Sequence, residues 1–290
     1  MLIRSLEIFG AVVEAGSFSA AAERLHTVQS NVTAHIKKLE TELGASLLHR
    51  RAPVTPTAAG HQLLDYARRI VDLHDQALDR FRADGAPAGD LRLGSMETTA
   101  AVHLPALLSA FSDRWPAVSL HLRTGTTAEM LAEVRAGRLD AAFVAADEAG
   151  DDLLLRPVFR ETLVLVSGRP LERLPDGRAL AQTAFLAFRQ GCGYRRAIEM
   201  LLAERRAPAT RIHELGSLDA IIGCASAGMG LALLPESVVA QYRQRYRLYT
   251  LALPDALAEV TTVLATSTRS SWSRALEVFM EGAGLSREAA

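Results

Sequence analysis

Apolar positions recur at helical spacing from the first residues. Leu2, Leu6, Phe9, Val12 and Val13 form one stripe that stops at Gly16, a C-cap position. Ser19 reads as the N-cap of a short second helix reaching about Leu25, and His26-Thr27-Val28 as a tight turn. Val32, Ile36 and Leu39 mark the inner face of a third helix, which Gly44 ends. Leu47, Leu48 and Val54, with Pro53 and Pro56, predict a two-stranded wing, and Thr57 can cap the helix that follows.

That next helix is long, about Ala58 to Ala83. Leu63, Ala67, Ile70, His74, Ala77 and Phe81 recur at spacings of four and three, and Leu64, Val71 and Leu78 widen the stripe. One reading packs this helix on its own domain. The favoured one makes it a dimer seam, because the three helices before it are expected to close on themselves. Gly, Pro and Asp then punctuate residues 84–90, and the helical pattern stops.

Beyond the break, short apolar runs alternate with helical stretches. Leu91-Arg92-Leu93, Val118 to Leu122, Ala141 to Ala145, Leu163 to Val166, Phe185 to Phe188, Ala232 to Leu234 and Val260 to Ala265 read as strands. Thr126-x-x-Glu129 is a capping box opening a helix that runs to Gly137. This alternation predicts an α/β domain of two lobes around parallel sheet.

Composition narrows the classes without revealing the function. Hydrophobic residues are 49% and charged residues 22% of the 290 residues, which excludes disorder, collagen and disulfide scaffolds. Lys and Arg number 32 against 33 Asp and Glu, so no net basic charge points to nucleic acid. Up to Arg82 there are 10 basic and 9 acidic residues. Two cysteines, Cys192 and Cys224, fit a reducing cytoplasm. The run Ala220 to Pro235 is too short for a membrane span of about 20 residues. No membrane partner, metal, cofactor or catalytic residue is expected, since the chain has neither HExxH nor P-loop nor nucleophile elbow.

A short helix, a tight turn and a second helix make a helix-turn-helix, whose second helix can enter a major groove. Gln29, Ser30, Asn31, Thr33, Ala34, His35, Lys37 and Lys38 fall on its outward positions. Gln and Asn match adenine edges, Ser and Thr are adaptable readers, and His35 joins them as a candidate. Lys37, Lys38, Arg50 and Arg51 supply phosphate contacts, and Thr57 beside the wing is a further candidate DNA contact. The alternative is a helical packing module with a solvated polar face.

The stretch FGAVVEAGSFSAAAERL, followed by VQSNVTAHIKKLETELGASLLHRR and PVTPTAAG, resembles the LysR-type transcriptional regulators. The later segments LRLGSMETTAA, LAFRQGCGYRR and ELGSLDAIIGCASAGMGLALLP resemble the YofA/SoxR-like branch of that family. The resemblance spans the chain. It implies a winged helix-turn-helix domain at 1–58, a linker (dimerisation) helix at 59–84 and a hinge at 85–90. An effector-binding domain at 91–290, like a periplasmic binding protein, then has lobe I at about 91–161 and 267–290 and lobe II at about 162–266. It further implies a homo-oligomer, a dimer and usually a tetramer, on double-stranded DNA carrying an interrupted inverted repeat. Ala34 and Pro56 depart from the family's usual residues.

The cleft between lobes is the second candidate site. Ser95, Glu97, Thr98 and Thr99 follow one strand, Thr124-Gly125-Thr126-Thr127 follows the next, and Phe143 lies in the strand after that. Tyr194 and Arg195 open a helix of the other lobe, and Ser217 caps the helix after it. Helix starts of this kind suit a small polar ligand, often an acid. Arg195 has the fork for a carboxylate, while Glu97 favours an amine or an amino acid. Cys192 is either a redox-sensing thiol or an inert one. The alternative to a regulator is a small-molecule-binding or enzymatic α/β protein with an accessory helical domain.

Overall fold

The computed structural model describes residues 1–81, 86–146, 152–207, 210–268 and 272–285; the side chains of residues 72, 76, 79–81, 255 and 256 lie outside the description. One compact unit consists of Met1–Ala86 with Ala136–Arg138, and a second of Pro87–Arg135 with Leu139–Ala290.

The first unit is helical: α1 (Ile3–Ala15), α2 (Phe18–Arg24), α3 (Gln29–Leu43), the wing strands β1 (Leu48–His49) and β2 (Thr55–Pro56), and α4 (Ala58–Phe81). Gly16 and Gly44 end α1 and α3 at φ 59° and 64°, a left-handed turn that glycine takes without steric cost. Ser17, not Ser19, caps α2, accepting from Ala20 N at 3.4 Å. The chain turns into the helix two residues earlier than the expected cap, which frees Ser19. The wing pairs antiparallel, Leu48 with Pro56 and His49 with Thr55.

Phe9, Ile36, Leu39 and Leu47 are fully enclosed at the centre of this unit. The expectation that three helices close without the fourth is not met. Leu63, Leu64 and Ala67 of α4 belong to the same buried cluster as α1, with Ile70 and Val71 packed at its margin. Three short helices leave an apolar face open, and the first half of α4 covers it. The second half leaves Leu73 54% and Leu78 47% exposed.

The second unit runs β3 (Gly89–Ser95), α5 (Glu97–Val102), α6 (Leu104–Arg114), β4 (Val118–Thr124), α7 (Thr127–Arg135), β5 (Ala141–Ala145), β6 (Leu154–Ser167), α8 (Gly177–Ala181), β7 (Phe185–Ala187), α9 (Gly193–Glu204), β8 (Ile212–Glu214), α10 (Leu218–Ser226), β9 (Ala232–Pro235), α11 (Glu236–Tyr242), β10 (Tyr249–Ala252), α12 (Asp255–Ala258), β11 (Glu259–Thr266) and α13 (Arg274–Gly282). The main sheet is mixed rather than parallel. Its strands follow the order β10-β6-β11-β5-β3-β4, with β9 also on β6. Only β4-β3-β5 run parallel there; β6 and β11 are antiparallel to their neighbours.

The reason lies in β6. From Leu154 to Thr162 it pairs with β11; from Leu163 onward it pairs with β9 and β10. One strand thus leaves one lobe and enters the other, and β11 pairs with both β6 and β5 on the return. Alternation along the chain cannot distinguish such crossing strands from ordinary βα repeats. Each lobe has its own core, around Phe143 and Phe279 in one and around Phe185 and Ile198 in the other. Strand β4 is an exposed sheet edge, with Leu122 41% accessible, rather than a half-buried strand.

Candidate nucleic-acid interface and effector cavity

Helix α3 buries Val32, Ile36 and Leu39 and leaves Gln29, Ser30, Asn31, Lys37 and Lys38 exposed. Local hydrogen bonds hold several of these side chains. Ser19 Oγ donates to Gln29 Oε1 at 3.0 Å, and Asn31 Nδ2 donates to Thr27 Oγ1 at 3.0 Å. Gln29 is thereby left with its amide N–H groups, and Asn31 with its carbonyl, for a partner. Thr33 is half-buried and spends its proton on the Gln29 carbonyl at 2.9 Å, keeping an acceptor.

His35 does not join the outward set. Its Nδ1 lies 2.9 Å from Ser5 Oγ on α1. The helical period explains this: positions 32, 35 and 39 share the buried stripe, so His35 faces the core margin. Thr57 is likewise occupied. Its hydroxyl donates to the Ser46 carbonyl at 2.7 Å and accepts from Gly60 N at 3.0 Å, capping α4. A Cβ at Gly60 would collide with the Leu47 carbonyl oxygen, so only glycine lets α4 leave the wing this closely.

Glu40, which the sequence did not single out, braces the wing. Its Oε1 accepts from Leu47 N at 2.9 Å and its Oε2 from Arg50 Nη2 at 2.8 Å. Arg50 and Arg51 remain exposed. Of the six seam positions on α4, Leu63 and Ala67 are buried in their own unit, Ile70 and His74 are half-buried and Ala77 is exposed. The Phe81 side chain lies outside the described residues.

In the second unit a cavity of about 320 Å³ is bounded by the ends of β3, β4, β7 and β8 and the starts of α5, α7 and α9. Glu97, Thr98, Thr124 and Tyr194 line it as expected from the sequence. Two of them join the lobes. Glu97 Oε1 accepts from Leu218 N at 2.8 Å, and Thr98 Oγ1 lies 2.9 Å from Tyr194 Oη. Tyr194 is 2% exposed. Burial and then the Glu161 carboxylate push its hydroxyl well above the ordinary tyrosine value, against the opposing Thr98 hydrogen bond.

Five other candidates are not on the cavity wall. Ser95 is fully buried with its hydroxyl on the Met96 carbonyl, and Thr99 is fully buried beside it. Phe143 packs in the lobe core against Phe159 and Phe279. Ser217 caps α10 through Ala220 N at 3.2 Å. Arg195 directs Nε to Glu199 at 3.2 Å and Nη1 to Glu214 at 3.0 Å, so its fork is already engaged. A helix start turns successive side chains through about 100°, so Glu97 and Thr98 reach the cavity while Ser95 and Thr99 on either side of them are buried.

Thr126 and Thr127, in the segment that the sequence assigned to the cleft, also line the wall, whereas sequence reasoning missed Phe188, Arg189 and Glu214 there. Arg189 is tied to Glu129 at 3.0 Å. Thr126 and Glu129 form the capping box, Thr126 N to Glu129 Oε2 at 2.9 Å and Glu129 N to Thr126 Oγ1 at 3.3 Å. Cys192 occupies the N-cap position of α9, half-buried on the same wall. Among the described residues no cluster could hold a metal ion, and no helix is long and apolar enough to cross a membrane.

A helix-turn-helix with a wing, followed by a two-lobed α/β domain around a cavity, defines a DNA-binding regulator class. Known proteins agree. Residues 3–61 match the bacterial regulatory helix-turn-helix of the LysR family, and residues 84–283 match the LysR substrate binding domain. The HTH-type transcriptional regulator YofA of Bacillus velezensis is 42% identical, covering 88% of this chain and 88% of its own length. The uncharacterized regulator YusT of Bacillus subtilis is 37% identical, covering 95% and 93%. Full-length CbnR, solved in complex with its target DNA, superposes with TM-score 0.68 at 26% identity, covering 99% of this chain and 100% of CbnR. A full-length OxyR variant from Pseudomonas aeruginosa shares the fold at TM-score 0.77 and 24% identity, covering 98% and 95%. The chain belongs to the LysR family of transcriptional regulators: a DNA-binding regulator, not an enzyme, with an effector-binding domain.

Proposed function

We propose that this regulator reads an interrupted inverted repeat with paired α3 helices and that a small-molecule effector in the cavity adjusts its hold on DNA. The observation that carries the reading is the pair of lobe-to-lobe contacts at the cavity wall, Glu97 with Leu218 and Thr98 with Tyr194. A ligand seated there changes the strain on both contacts at once, and so the closure of the lobes. Such coupling needs the ligand to favour one arrangement by about 1–3 kcal/mol. Gln29, Ser30, Asn31 and Thr33 are the base readers, and Lys37, Lys38, Arg50 and Arg51 the phosphate contacts. His35 and Thr57 act as supports.

The exposed half of α4, with Leu73, Ala77 and Leu78, is the seam for a second copy in a dimer, and pairs of dimers make a tetramer. Two-fold symmetry in the protein then matches the repeat in the DNA. Its place of action is the cytoplasm, where the DNA is. Near-neutral charge keeps non-specific DNA affinity modest, so binding leans on several recognition helices acting together. Footprinting on the DNA upstream of the protein's own gene, with and without a metabolite panel, tests this. The protected span should lengthen, shorten or move with one metabolite; a span indifferent to every metabolite would remove the effector role.

A further inference from the structure

Glu97 is the cavity's distinctive charged group. A main-chain N–H, that of Leu218, meets its Oε1 at 2.8 Å, and among the described residues no hydrogen bond reaches its Oε2. The other wall carboxylate, Glu214, already has a cationic partner, Arg195 Nη1 at 3.0 Å from its Oε2. The wall cation Arg189 is held by Glu129, and Arg195 is shared between Glu199 and Glu214. The charged groups at the wall and their partners are therefore three carboxylates, Glu97, Glu129 and Glu214, against two guanidiniums, Arg189 and Arg195, the second of them shared with a further carboxylate, Glu199. A ligand bearing only negative charge would enter a region already in anionic excess. A cation would meet a carboxylate fixed in place by Leu218.

Resting on the effector reading above, we infer that the ligand of this cavity carries an ammonium group, and that Glu97 receives it. The lone oxygen of Glu97 accepts the N–H, a charge-assisted hydrogen bond stronger than a neutral one. Pre-orientation by Leu218 lowers the ordering cost of that contact. Met96, Phe188 and Leu215 supply apolar wall for the ligand's carbon skeleton, and the exposed Thr124 hydroxyl a further polar contact. Amino acids and simple amines share this chemistry. They differ in whether a carboxylate is read as well.

The test uses the full-length protein and matched compounds. L-leucine, 3-methylbutylamine and 4-methylpentanoate share one skeleton; the other proteinogenic amino acids, the diaminoalkanes from putrescine to cadaverine, and the corresponding nitrogen-free acids complete the panel. Calorimetric titration should find binding only among ammonium-bearing members. The amino acid and amine arms then distinguish the two sources. Glu97→Gln keeps an oxygen for Leu218 N–H and removes the charge, so affinity should fall roughly tenfold to a hundredfold, with a thermal melt verifying the fold. Equal binding by nitrogen-free acids, unchanged affinity in Glu97→Gln, or no binding by any member overturns the inference. Thr124→Phe fills the cavity from an exposed position and separates the two levels. If binding of acids is lost in Thr124→Phe, the cavity is the effector site and only the ammonium assignment falls. If binding survives Thr124→Phe, the effector reading of the cavity falls as well.

Discussion

The recognition helix and the effector cavity obtain their chemistry in opposite ways. Helix α3 presents Gln29, Ser30, Asn31, Thr33, Lys37 and Lys38 from consecutive turns of one element, and its buried stripe fixes which positions point out. The cavity gathers Glu97, Thr124, Phe188, Tyr194 and Glu214 from segments spread over more than a hundred residues of chain. A surface site on one helix survives small changes elsewhere. A cavity between lobes depends on the strands that cross between them, β6 and β11, and on contacts such as Thr98 with Tyr194. Stability of the first unit and sensitivity of the second should therefore separate experimentally.

The largest effect is expected where α4 closes the first unit. Leu64→Ala should destabilise it by about 2–5 kcal/mol, because the side chain is enclosed against α1 and leaves a cavity. Leu73→Ala on the same helix should leave the melting temperature nearly unchanged and weaken self-association, read by light scattering. If both variants behaved alike, the two halves of α4 would not differ in role. Next, Gln29→Ala with Thr33→Ala should cut the preference for operator over random DNA by about 1–3 kcal/mol for each lost base contact, with the oligomer intact. Fluorescence anisotropy on the two duplexes decides it; an unchanged ratio would move the readers elsewhere.

Thr57→Ala should cost about 1 kcal/mol of stability through loss of the α4 cap. Its effect on DNA should follow stability rather than salt, which a titration of binding against salt would show. The smallest effect concerns Tyr194. Its raised pKa means that the folded state holds a proton the unfolded state loses above about pH 10, so this group's contribution to stability declines as pH rises past that value. Ultraviolet titration should show a tyrosine that ionises only on unfolding. Tyr194→Phe should remove that lag and the Thr98 contact for about 1 kcal/mol.

Much of the first unit was legible in the sequence because its determinants are local. Gly16 and Gly44 as helix stops, Thr57 as a cap and the wing all follow from neighbouring residues. The errors there were also local in origin. Ser17 competes with Ser19 for one cap, and His35 shares a stripe with Val32 and Leu39 that a count of polar residues overlooks. In the second unit the strands were readable, apart from the short β8, the edge β10 and the first part of β6, Leu154 to Thr162, but their directions were not. Apolar runs show burial, whereas the sense of β6 and β11 depends on which lobe each must reach.

The candidate cavity shows the limit most clearly. Helix starts at Glu97, Tyr194 and Ser217 are written in the chain, yet Ser95, Thr99 and Arg195 beside them face the interior or other side chains. By itself the sequence determined the order of elements, the family, the outward face of α3 and the caps, because each depends on spacing within a few turns. Only the tertiary structure decided which half of α4 is covered, that Arg195 is engaged while Glu97, among the described residues, keeps an open oxygen, and which segments meet at the cavity. Those outcomes depend on distances between residues far apart in the chain, which periodicity does not encode.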